Sequence, residues 1–183
     1  MLKTGYIIIV CAFLVLSCKE KNNTALLFEK ELDTGWQFNR EGSSEMHPAT
    51  VPGCVHTDLL SIGLIEDPFT GENEKKLQWI EKEIWEYSCR FMLDPSTLNS
   101  YKHYELVFDG LDTYAKVYLN NRQILTADNM FRVWTVDCSD LLKETNDIRI
   151  EFLPADSINS LKESEYPCKL PDKRAFTRKA PYQ

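Results

Sequence analysis

Apolar and polar side chains alternate with a period of two through the middle of the chain. In "IWEYSCRFML", Trp85, Tyr87, Cys89 and Phe91 point one way, while Glu86, Ser88 and Arg90 point the other. Tyr104, Leu106 and Phe108 alternate with Glu105, Val107 and Asp109, and Ala115, Val117 and Leu119 with Tyr114, Lys116 and Tyr118. "RQILTA" returns after Asn120-Asn121, two residues that tolerate positive φ and suit a type I′ hairpin turn. "FRVWTVDC" alternates again, Leu141-Leu142 fall in a short helical turn, and Ile148, Ile150 and Phe152 share one face of a last strand. Nearer the amino terminus, Trp36 and Phe38 mark a first strand and Pro52-Gly53 a turn. Val55, Leu59, Leu60 and Ile62 then share a face of one short helical turn. "DPFTGENEKK" reads as a polar loop ordered by Pro68 and Phe69.

Short strands separated by turn signals, with almost no long helix, predict an all-β antiparallel sandwich with a short helical turn near the amino terminus. Alternation of this kind requires one buried and one solvated face per sheet. From Pro154 onward it is lost, and the tail carries many charges and several prolines without a closing strand. The domain is therefore expected over residues 29–154, with 155–183 an incomplete carboxy-terminal extension of it.

The first residues lie outside that core. Ile7 to Leu16 form an apolar run of ten residues behind the basic Lys3, about half of the roughly 20 that a membrane-spanning helix needs. With the small Ser17 following, residues 1–17 read as a secretory signal removed from the mature protein. "VLSC" resembles the bacterial lipobox, which makes Cys18 the expected site of lipid attachment and residues 18–28, opening "CKEKNN", a polar tether. The expected location is a bacterial membrane-anchored lipoprotein facing the periplasm or the cell surface, with the membrane reached through the lipid alone.

Charge and cysteine spacing narrow the chemistry. Loss of Lys3 with the signal removes one positive charge from a formal net charge of −7, which argues against a nucleic-acid partner, since phosphate binding needs a basic surface. Beyond Cys11 and Cys18, Cys54, Cys89, Cys138 and Cys168 are widely separated without C-x-x-C spacing, so no zinc site is expected. In an exported protein these four allow three pairings, and the sequence does not choose; buried free thiols are the simpler reading. His47, His56 and His103 form no ligand cluster, and seven glycines make no phosphate loop, so no metal and no cofactor are expected.

The stretch "ATVPGCVHTDLLSIGLIEDPFTGENEKKLQWIEKEIWEY" and the later "LVFDGLDTYAKVYLNNRQILTADNMFRVWTVD" resemble the amino-terminal sugar-binding domain of β-mannosidases, exo-glycosidases of glycoside hydrolase family 2. The likeness covers most of Trp36 to Phe152, and its "VPG", "HTDLL", "DPF", "NE" and "QWI" elements fit the mannosidase branch better than the galactosidase or glucuronidase branches. The resemblance implies a jelly-roll sandwich, galactose-binding-domain-like, followed in such proteins by an immunoglobulin-like domain and a (β/α)8 barrel. The barrel carries an acid/base glutamate and a nucleophilic glutamate, and hydrolysis retains configuration. That chemistry needs two carboxyl groups about 5–5.5 Å apart, one with a raised pKa. "RAFTRKAPYQ" resembles the stretch just before a Trp/Asp-rich loop that reaches the sugar pocket, so a substrate-contacting aspartate is missing here along with both glutamates. The chain is expected to be an amino-terminal fragment, inactive alone, whose parent hydrolyses terminal β-mannosides of glycans and on whose barrel this domain packs.

No catalytic residue is assigned within the chain: Glu72 with Glu74 and Glu81 with Glu83 read as solvent-facing charges. A ring face is a natural partner for pyranose C–H groups, and Trp79, Trp134, Tyr114 and Tyr118 are the candidates. Aromatics in strands ordinarily serve the core, which leaves Trp79, in the irregular "QWI" segment, as the expected carbohydrate contact. His56 with Asp58 lacks a serine motif and reads as a hydrogen-bonding or capping pair; Arg174, Arg178 and Lys179 read as a solvated or interface cluster. The rival readings are a free-standing carbohydrate-binding lipoprotein, a structural remnant, or another family 2 glycosidase such as a β-galactosidase or β-glucuronidase.

Overall fold

The structure, a computed structural model, describes residues 27–165 together with Pro167. The chain divides into two compact units, Met1–Glu31 and Leu32–Gln183; of the first, the described residues 27–31 are irregular and exposed. The signal segment, Cys18 and most of the tether lie outside the described residues, as do Cys168, Arg174, Arg178 and Lys179.

Among the described residues of the second unit, eight strands follow in order: β1 (Trp36–Arg40), β2 (His47–Pro48), β3 (Trp85–Met92), β4 (Glu105–Phe108), β5 (Ala115–Leu119), β6 (Arg122–Ala127), β7 (Trp134–Asp137) and β8 (Thr145–Phe152). Four helices accompany them: α1 (Val55–Ser61), α2 (Asn73–Lys76), α3 (Pro95–Ser100) and α4 (Ala155–Glu165), with a 3-10 turn at Ile80–Lys82. Six strands form one antiparallel sheet in the order β2-β1-β3-β8-β5-β6, and β4 pairs with β7 in a second.

The period-two pattern fixes which face is inward. β3 buries Trp85, Tyr87, Cys89 and Phe91, β5 buries Ala115, Val117 and Leu119, and β8 buries Ile148 and Ile150. These rows sit side by side because the register aligns Tyr87 with Ile150, and Ile150 with Val117. Leu106, Phe108 and Trp134 of the smaller sheet pack against the same cluster from their own partly buried face. The result is an antiparallel β-sandwich, with Leu59 of α1 and Ile80 of the 3-10 turn plugging the cluster.

At the β5–β6 hairpin Asn120 and Asn121 take φ of 51° and 68°, the left-handed pair that a two-residue type I′ turn demands. Three details depart from the sequence expectation. In α1 the inward stripe is Val55, Asp58, Leu59 and Ile62, with Leu60 turned toward solvent. The polar loop expected over "DPFTGENEKK" ends in the four-residue helix α2, and Phe69 projects into solvent rather than ordering it. Beyond Pro154, where no element is expected, α4 forms an eleven-residue helix with no buried residue. It is tied down by Tyr114 Oη donating to Asn159 Oδ1 at 2.6 Å and by Lys162 Nζ 4.6 Å above the Tyr114 ring.

Candidate functional site

Aromatic rings offer a first test of where a sugar could dock. Three of the four candidates are already occupied. Tyr118 carries the Arg149 guanidinium 4.1 Å above its ring, and Tyr114 carries Lys162. Trp134 packs on the core cluster, has Arg132 4.3 Å from its ring centre and donates its indole N–H to Asn129 O. Trp79 is different: it is 37% exposed, precedes the 3-10 turn, and its ring leans against buried Trp85 with centroids 6.0 Å apart. Trp85 is itself held by its Nε1–H, which donates to Ile80 O at 2.9 Å. The exposed ring therefore rests on a fixed one.

Trp79 lines an open depression of about 340 Å³ between the end of α1, α2 and the 3-10 turn. The apolar side chains of Leu64, Ile65 and Leu77 share it with three polar ones, Glu66, Asn73 and Lys76. Asn73 is buried, and its Nδ2 donates to Asp67 O at 3.1 Å. Its Oδ1 accepts from Lys76 Nζ at 3.1 Å, and the same ammonium lies 3.7 Å from Glu66 Oε2. Periodicity gives no hint of Glu66, Asn73 or Lys76: Asn73 and Lys76 lie in the four-residue α2, read as part of a polar loop, and Glu66 lies in irregular chain just before that loop. Their convergence depends on tertiary placement.

Among the described residues, the carboxylates elsewhere form no hydrolytic pair. Glu72, Glu74 and Glu81 are exposed, and Glu83 faces Arg40 at 3.5 Å. Glu86 and Glu151 are cross-strand neighbours on β3 and β8, but both accept hydrogen bonds from Arg149 between them. The single Arg149 charge is shared between the two carboxylates on the side of the sheet away from the core. Asp58 is buried, accepting from Tyr87 Oη at 2.8 Å and from Thr50 N at 3.0 Å, whereas His56 is exposed. They form no catalytic dyad; Asp58 bonds neighbouring elements together. His103 Nε2 lies 2.9 Å from Glu105 Oε1 and its Nδ1 3.6 Å from Asp137 Oδ2 on the open face of the β4–β7 sheet. The hydrogen bond to Glu105 holds its pKa above the ordinary imidazole value.

Among the described residues no group of three or more His, Cys, Asp or Glu side chains could hold a metal ion. Cys89 and Cys138 are buried free thiols, and burial, aided by the Asp137 charge, pushes the Cys138 thiol up to about 11. Cys54, also free, departs from the expectation of burial: it occupies the exposed N-cap of α1.

The family described as Glycosyl hydrolase 2 galactose-binding domain-like matches residues 36–183. The chain belongs to that family. Relatives of this glycosyl hydrolase 2 domain include the β-mannosidase of Mus musculus, 38% identical over 125 residues, which cover 68% of this chain and 14% of the mouse protein. β-Mannosidase A of Emericella nidulans is 37% identical over 126 residues, 67% of this chain and 13% of the fungal protein. The crystal structure of β-D-mannosidase from Dictyoglomus thermophilum superposes with a TM-score of 0.72 at 39% identity, over 75% of this chain and 17% of that one. The β-D-glucuronidase of Dictyoglomus thermophilum, at 16% identity and a TM-score of 0.51, shares the fold. The chain thus spans about one seventh of the length of the mannosidase relatives.

Proposed function

We propose that the chain is the amino-terminal domain of an exported, lipid-anchored exo-β-mannosidase that removes terminal non-reducing β-D-mannose residues from glycans with retention of configuration. The observation that carries this reading is the level of identity: 37–39% to proteins named β-mannosidase, against 16% to a β-glucuronidase of the same fold. The retaining reaction requires a nucleophilic carboxylate and a protonated partner about 5–5.5 Å away. In this reading both come from a catalytic domain beyond these residues. Two features support that assignment: the described acids are exposed or tied to arginine and backbone donors, and the relatives are several times longer. The role of the present sandwich is then to pack on that domain and shape one wall of the pocket.

The test is to follow the reading frame past codon 183 and express the complete product. Turnover of an aryl β-mannoside by that product, and none by the 183-residue chain, is expected. A complete product that cleaves aryl β-glucuronides or β-galactosides but not β-mannosides overturns the mannosidase reading. A stop codon directly after codon 183 overturns the enzyme reading and favours a free-standing glycan-binding lipoprotein or a structural remnant.

A further inference from the structure

We infer that the Trp79 depression is a glycan-binding site in its own right, taking one uncharged pyranose unit of a β-manno-oligosaccharide. The choice of sugar rests on the proposed mannosidase function; the class of ligand rests on the walls. A pyranose presents an apolar C–H face and a ring of hydroxyls, each both donor and acceptor. Trp79 supplies a ring surface for the first, backed by Trp85 at 6.0 Å. Glu66 and Lys76 supply an acceptor and a donor for neighbouring hydroxyls, their charged atoms 3.7 Å apart.

The charge arrangement selects against other ligands. One carboxylate and one ammonium sum to no net charge, so neither an anion nor a cation is favoured. A wholly apolar ligand would strip water from both without replacing it. Lys76 donates to Asn73, which is itself anchored to Asp67 O, so the ammonium stands beside the depression, and at 70% exposure it is open to a sugar hydroxyl. The volume of about 340 Å³ lies at the small end of small-molecule sites, roughly 300–1,000 Å³, and suits one ring rather than a chain. Its open side lets the remaining sugars of an oligosaccharide project into water, and weak, millimolar binding follows from the shallow enclosure.

The experiment is titration of the ¹⁵N-labelled 183-residue chain with β-1,4-mannotetraose, following the indole N–H resonances, with Trp79→Phe used to assign the Trp79 signal. A saturable shift of that signal is expected, with Glu66→Gln and Lys76→Met each weakening binding at least fivefold while the rest of the spectrum is unchanged. No saturable shift, or full binding in both polar variants, overturns the site. The two proposals fail separately. If the complete product hydrolyses aryl β-mannoside while Trp79 stays silent, the enzyme reading stands and this site falls. If Trp79 responds and no β-mannoside is cleaved, the site stands as a binding site and the enzyme reading falls.

Discussion

Asp58 joins three parts of the fold through one carboxylate. Its own backbone belongs to α1, one oxygen accepts from the Thr50 amide before the Pro52-Gly53 turn, and the other accepts from Tyr87 on β3. At 1% exposure it has no water to fall back on, so each hydrogen bond carries the full cost of desolvation if broken. Burial is also the first cause of the strongly raised Tyr87 pKa, with the Asp58 hydrogen bond and charge adding to it. Replacing Asp58 by alanine strands the Tyr87 hydroxyl and the Thr50 amide together, and about 3 kcal/mol of stability should be lost. Asp58→Asn keeps an acceptor for Thr50 and offers Tyr87 a donor, so about 1 kcal/mol is expected. Urea unfolding measures both; equal losses in the two variants would show that the carboxylate's hydrogen bonds are not what holds α1 in place. The same residue explains why the sequence misplaces the helix face. A stripe at 55, 58, 59 and 62 has helical spacing, but counting apolar residues passes over an aspartate and admits Leu60, which points to solvent.

At the scale of elements, the longer strands and α1 are readable in the sequence, and the remaining short helices are not. β3, β5 and β8 show their inward rows in the sequence because each has one dry and one wet face, and register then follows from matching those rows. The hairpin was readable because Asn-Asn tolerates the φ that its geometry imposes. α3 left a signal that periodicity does not use: Asp94 stands at its N-cap and Pro95 at its first turn, a favoured helix start. α2 is four residues long, and α4 carries only Ile158 and Leu161 as large apolar residues and buries neither, so neither has the broad apolar stripe that periodicity detects. The Trp79 depression was half legible for the same reason, its aromatic residue singled out by lying off the strands and its polar residues hidden. Within the hairpin the two asparagines do different work. Asn121 supplies conformation, whereas Asn120 also donates Nδ2–H to Leu141 O and Asn146 Oδ1 at 2.8 and 2.9 Å and accepts from Asp147 N at 3.0 Å. Asn146 is fully buried, so its carbonyl feels the loss directly. Glycine accepts positive φ at either site. Asn121→Gly should therefore change stability by less than about 0.5 kcal/mol, while Asn120→Gly should cost about 2 kcal/mol. Thermal or urea unfolding of the two variants decides it, and equal effects would reduce Asn120 to a turn residue.

Across the whole molecule, the proposed function makes the sandwich one wall of a sugar pocket and places the cutting carboxylates in another domain. The proposed tether lies in the first residues. "VLSC" carries the cysteine that a lipoprotein signal requires, behind an apolar run too short to span the bilayer comfortably. A single acyl chain holds a protein only marginally at a membrane, whereas two hold it stably, so diacylation at Cys18 would be enough by itself to anchor the protein. The expected outcome, for the complete product in a bacterium that processes lipoproteins, is incorporation of labelled palmitate and sedimentation with membranes that resists high salt but yields to detergent. Cys18→Ser should abolish the palmitate label. Fractionation alone would not be decisive, because an uncleaved Ile7–Leu16 segment in the variant would retain some protein at the membrane without any lipid. The label separates the two cases: palmitate in the Cys18→Ser protein, or none in the parent, would refute the anchor and leave Ser17-Cys18 as part of an ordinary secretory signal.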